Sequence, residues 1–69
     1  MIVKFSRYAK RRAKLYKIPE TTVEKILADS NLNNGEHEIL KDVSGFKYPI
    51  KIVVSVESNM ISNYSVQLR

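Results

Sequence analysis

Two groups of side chains in this 69-residue chain could do chemistry. The first is a block of cations in "SRYAKRRAKLYKI" (6–18). At about 100° per residue, Arg7, Lys10, Arg11, Lys14 and Lys17 share one side of a helix. Such a stripe binds phosphate or an acidic partner, or it simply keeps a helix face solvated. The second group is spread over the C-terminal half. His37 is the one side chain that titrates near neutrality without a large shift, which makes it a candidate for moving a proton. It sits between Glu36 and Glu38, where it is equally an exposed strand histidine. Tyr64 can stack on a base or donate a proton, or it can be a partly buried sheet aromatic. Lys47, Lys51 and Arg69 put cations on or beside the same segment, although strand lysines also guard sheet edges against aggregation.

Arg12 stands out within the first group. It falls in the middle of the apolar side formed by Phe5, Tyr8, Ala9, Ala13, Leu15 and Tyr16. An unpaired buried guanidinium is costly, so this one must find acceptors or reach water. In one reading it hydrogen-bonds strand-end carbonyls or a carboxylate such as Glu36 or Glu38. In the other it emerges beside the sheet and holds a phosphate bidentately. The first is the expectation: Arg12 ties the helices to the sheet.

Charge and composition narrow the function classes. The net charge is +5, from 12 Lys and Arg against 7 Asp and Glu. Lys4, Arg7, Lys10, Arg11, Arg12, Lys14 and Lys17 come with no intervening acid. With no cysteine and a single histidine, neither a disulfide nor a thiolate metal site is expected, and no cofactor is implied. Gly35 and Gly45 are the only glycines, so there is no glycine-rich phosphate loop. No nucleophile-elbow signature surrounds any serine. No apolar run approaches a membrane span, and the expectation is a soluble, cytoplasmic protein. A core this small is marginal alone, so a partner or a second copy of the chain is expected to add stability.

The elements that must position these residues read as one α+β domain over 1–69. "MIVKF" suggests a brief strand, with Ser6 as N-cap of a helix running to about Lys17. Pro19 disfavours α geometry at Ile18 and ends it. "PETTVEKILADS" predicts a second helix with Val23, Ile26 and Leu27 as its apolar stripe. Asn34-Gly35 marks a turn, after which the period changes to two. "EHEILKDV" and "KYPIKIVVSVE" read as strands. The second presents Ile50, Ile52, Val54 and Val56 on one face, and Val53 suggests cover on the other. Glu57-Ser58-Asn59 closes a hairpin into "MISNYSVQL", where strict alternation puts Met60, Ser62, Tyr64, Val66 and Leu68 on one face. The order β-α-α-β-β-β predicts a bent helix pair on one face of an antiparallel sheet.

"FSRYAKRRAKLYKIPETTVEKIL" resembles the start of a family of small, largely uncharacterised prokaryotic proteins, the domain of unknown function numbered 4258. That family opens on His-Ala-x-x-Arg-x-x-x-Arg-Gly-Ile and continues into a Val-x-x-x-Leu helix. Ala9, Arg12, Ile18, Val23 and Leu27 match; Tyr8, Tyr16 and Lys17 stand in place of the family's histidine, arginine and glycine. "YPIKIVVSVESNMISNYSV" is similar to its closing hairpin. The family in turn looks like a distant branch of the RelE/ParE-type toxins, which cleave messenger RNA or poison gyrase and are neutralised by an antitoxin.

The resemblance implies a toxin-like ribonuclease or translation inhibitor acting on RNA or the ribosome. Such a ribonuclease needs a base for the 2′-OH, cations for the developing charge and a proton for the leaving oxygen. His37, Tyr64 and Arg69 are the candidates, and a terminal arginine has catalytic parallels in RelE-type toxins. The other reading is a non-catalytic module whose basic helix engages nucleic acid or an acidic protein. The helix is rich in Arg and Lys and lacks Asn and Gln, which suits phosphate contact better than base readout.

Overall fold

The computed structural model describes residues 2–68. Six elements follow in the expected order: β1 (Ile2–Phe5), α1 (Arg7–Leu15), α2 (Glu20–Asp29), β2 (Gly35–Lys41), β3 (Ile50–Glu57) and β4 (Met60–Leu68). The strands form one open sheet in the order β1-β4-β3-β2. Both helices contribute to the core on one side of it, and its other side stays open.

The local signals act as the residue types require. Ser6 is extended (φ −67°, ψ 162°), and its Oγ accepts the Ala9 N–H at 3.0 Å, capping α1. At the other end the Ile18 N–H reaches the Ala13 carbonyl at 2.8 Å and the Lys17 N–H reaches that of Lys14 at 3.2 Å. This pair of bonds is a Schellman motif, and Lys17 occupies its left-handed position at φ 57°. Ile18 then turns inward and is buried with Ala13. Pro19 is the N-cap of α2 rather than part of its first turn. In the β3–β4 hairpin, Ser58 and Asn59 both have positive φ (46° and 71°), the conformation of a tight two-residue turn.

The core lies between the helices and one face of the sheet. Ala9 and Ala13 are small enough to seat α1 closely on β4 and β1, while Val23, Ile26 and Leu27 come from α2. Below them lie Ile50, Ile52, Val54 and Val56 of β3 and Ile61 and Val66 of β4.

Three expectations are corrected. The sheet is mixed rather than antiparallel, because β1 pairs with β4 in parallel, Val3 opposite Ile61 and Phe5 opposite Asn63. The β2-β3-β4 meander delivers β4 alongside β1 in the same direction, and no hairpin joins the two. Next, β3 is an interior strand covered on one side only; Lys51, Val53 and Ser55 are half-buried on the open face. Finally, β4 does not alternate strictly. Val53 pairs with Ser65 but Val54 pairs with Asn63, leaving Tyr64 as an extra residue in β4. This bulge switches the phase. Ile61 and Asn63 before it, and Val66 after it, are buried, whereas Met60 and Tyr64 are exposed.

The bulge is held by two side chains. The Ser65 N–H donates to Asn63 Oδ1 at 3.2 Å, and the Tyr64 carbonyl accepts from Ser6 Oγ at 3.2 Å. Both ends of one peptide group are thus satisfied by side chains, as an irregular ladder requires. Asn63 is 1 % exposed, and its Nδ2 has no partner among the described residues.

Candidate nucleic-acid interface

Helix α1 turns its two buried alanines toward the sheet, which leaves the opposite side to solvent. Arg7, Lys10, Arg11 and Lys14 are all exposed there, and Lys17 is exposed just beyond the last turn. None of the five forms an ion pair with a described residue; the pair between Lys51 Nζ and Glu38 Oε1, at 3.3 Å, lies on the open face of the sheet. An unneutralised cluster on a single rigid element is a surface that attracts polyanions.

Arg12 lies at the edge of this surface, and its partners differ from those expected. Its Nε donates to Tyr8 Oη at 2.9 Å and its Nη1 to Tyr16 Oη at 3.3 Å. The guanidinium carbon is 5.1 Å from the Tyr8 ring centroid and 5.9 Å from that of Tyr16. The partners are therefore tyrosines one helical turn away on either side, not strand carbonyls, Glu36 or Glu38. The spacing i−4 and i+4 explains why: these neighbours share a stripe with Arg12, and guanidinium stacks well on aromatic faces. The hydrogen bond to the Tyr8 hydroxyl, then the electrostatic interaction with Tyr8 and with Tyr16 themselves, push the Arg12 pKa upward. Arg12 is structural in the sense that it braces α1, but it does not tie α1 to the sheet.

The proposed catalytic residues are not brought together. His37 pairs in register with buried Val54 and so belongs to the helix-covered face, at the edge strand β2. Its Nε2 lies 2.7 Å from the Asn33 carbonyl, which pins the loop before the strand. Tyr64 projects from the bulge into the open face. It borders a shallow hollow of about 300 Å³ with Ser55, Glu57, Ser58, Met60 and Ser62. One whole strand separates β2 from β4, so the two residues are roughly 10 Å apart across the sheet and face opposite sides. Arg69 lies outside the described residues. Lys47 sits over the Tyr48 ring at 5.6 Å in the β2–β3 loop, and Lys51 is engaged by Glu38.

Two structural features escaped sequence reasoning. The Tyr8–Arg12–Tyr16 clasp was detectable from its four-residue spacing. The serine-lined hollow beside Tyr64 was not, because it depends on the bulge. Among the described residues no group of three or more His, Cys, Asp or Glu side chains is placed to hold a metal ion. No helix of the described residues is long and apolar enough to cross a membrane.

The fold and surface define a small two-layer α+β domain with a cationic helix. No family model matches the chain, and neither a curated protein nor a solved structure matches it.

Proposed function

We propose that the chain is a nucleic-acid-binding module that holds the phosphate backbone on the exposed side of α1. The observation that carries this reading is the set of five exposed cations, Arg7, Lys10, Arg11, Lys14 and Lys17, without a carboxylate partner among the described residues. Lys17 adds weight. A left-handed conformation costs a non-glycine residue about 1–2 kcal/mol, and the Schellman position favours glycine. A lysine kept there extends the cationic surface by one turn at the expense of stability.

The contact is to phosphate rather than to base edges, because the exposed side of α1 offers Arg and Lys without Asn or Gln. Affinity is then largely independent of sequence and strongly dependent on salt. A toxin-like ribonuclease would also need an acid and a base around one phosphate. His37 and Tyr64 open on opposite sides of the sheet, so the proposal stops at binding and assigns them no shared step.

The test is the salt dependence of RNA binding, compared with a variant in which Arg7, Lys10, Arg11 and Lys14 are all glutamine. Each phosphate contact contributes about 0.7 to the slope of log K against log salt for a single strand. The variant should lose a slope of about 3 together with most of its affinity. An unchanged slope would place the contact elsewhere and overturn the proposal.

A further inference from the structure

We propose that α1 selects single-stranded nucleic acid, with Tyr8 as the platform on which a base stacks. This rests on the phosphate-binding reading above and names the form of the ligand. A face used only for phosphates has no need of apolar groups, yet Tyr8 is 51 % exposed and Leu15 65 % exposed. At positions i and i+7 they lie on one stripe of the helix, with Arg11 between them at i+3. Tyr8 and Leu15 therefore form an exposed apolar stripe that borders the cationic side of the helix, with Arg11 the cation nearest to it.

The Tyr8 ring is also held in place. Arg12 grips its hydroxyl at 2.9 Å and lies 5.1 Å from its centroid, and Tyr16 braces Arg12 from the following turn. A side chain fixed in this way loses little further freedom when a base settles on it. Stacking on an exposed aromatic is open to any base, because every base has a π-face, which fits a surface without base-edge readers. In a duplex those π-faces are covered by neighbouring bases. Only an unpaired strand can place its phosphates on Arg7, Arg11 and Lys14 while turning a base onto Tyr8.

The test compares an oligouridine strand of about twelve nucleotides with the same strand annealed to its complement, at one salt concentration. The natural chain should bind the single strand more tightly. Tyr8→Ala should weaken single-strand binding by about ten-fold and leave duplex binding nearly unchanged. Tyr8→Phe, which keeps the ring and loses the hydroxyl, should retain most of the preference. Equal binding of both probes by the natural chain, or a Tyr8→Ala variant that keeps the preference, would overturn the stacking proposal and leave the phosphate reading intact. Absence of binding to either probe would overturn both.

Discussion

The Ser6 hydroxyl lies 3.0 Å from the Ala9 amide nitrogen and 3.2 Å from the Tyr64 carbonyl oxygen, 58 residues further along the chain. One side chain thus starts α1 and anchors the β4 bulge. The Ser6 amide adds a third link, donating to the Asn63 carbonyl at 3.0 Å. The cationic helix is thereby fastened to the strand on which it packs.

Removing that hydroxyl should loosen both ends. Ser6→Ala should lower stability by about 1–2 kcal/mol in urea unfolding. Ser6→Asp retains an acceptor for the Ala9 amide and places a negative charge at the helix N-terminus, but it cannot donate to Tyr64. It should lose less than Ser6→Ala. If the two variants prove equally unstable, the link to Tyr64 outweighs the cap.

Lys17 should separate stability from binding. Lys17→Gly relieves the left-handed strain and should stabilise the fold by about 1 kcal/mol, while lowering the salt slope of RNA binding by about 0.7. Thermal unfolding and a salt titration read the two effects independently. A variant that gains stability and binds unchanged would remove Lys17 from the interface.

Asn63 should tolerate a charge poorly. Asn63→Asp keeps an acceptor for the Ser65 amide but puts a carboxyl where only 1 % of the residue is exposed. Burial disfavours the charged form and raises the folded-state pKa above its unfolded value near 3.9. The proton is then bound more tightly in the folded state, so, relative to the natural chain, the variant should be most stable below the unfolded pKa and lose stability as pH rises from there through the folded pKa. Urea midpoints at several pH values test this; a variant that tracks the natural chain at every pH would show that the site is hydrated.

Arg12 behaves differently with pH. Its pKa is raised by the Tyr8 hydroxyl from an already high value, so its stabilising contact is present below that range and is lost only in strong alkali. Replacing Arg12 with Gln should therefore lower α1 stability by the same amount at every neutral pH, as read by unfolding monitored through helical circular dichroism. A loss that changed between mildly acidic and neutral pH would point to a partner other than the two tyrosines.

His37 and Tyr64 should act independently. Because they lie on opposite faces with β3 between them, the effects of His37→Ala and Tyr64→Phe on stability or RNA binding should add to within about 0.5 kcal/mol. A larger coupling would restore a shared role for them.

These placements show what local sequence does and does not disclose. Ser6, Pro19 and the stripe Val23, Ile26, Leu27 carry their own signals, and both helices follow from them. The alternation of Ile50 to Val56 likewise marks the central strand and its buried face. The parallel pairing of β1 with β4 joins the two ends of the chain and leaves no mark in either segment. The bulge at Tyr64 has no glycine to announce it; it is held by Asn63 and Ser6, one buried and one remote in sequence. Arg7, Lys10, Arg11 and Lys14 were legible because helical periodicity places them by itself, whereas Lys17 stands beyond the helix in the left-handed position of the Schellman motif. The partners of Arg12 were written at four-residue spacing, where a search for a carboxylate overlooks them.

The most direct test of the account is a two-dimensional amide NMR titration of the chain with a short single-stranded RNA. Shifts concentrated in residues 7–17, fading as salt is raised, are the predicted result. Shifts centred on Ser55, Ser62 and Tyr64, with α1 unmoved, would place the nucleic acid on the open face of the sheet and contradict the assignment of α1 as the binding surface.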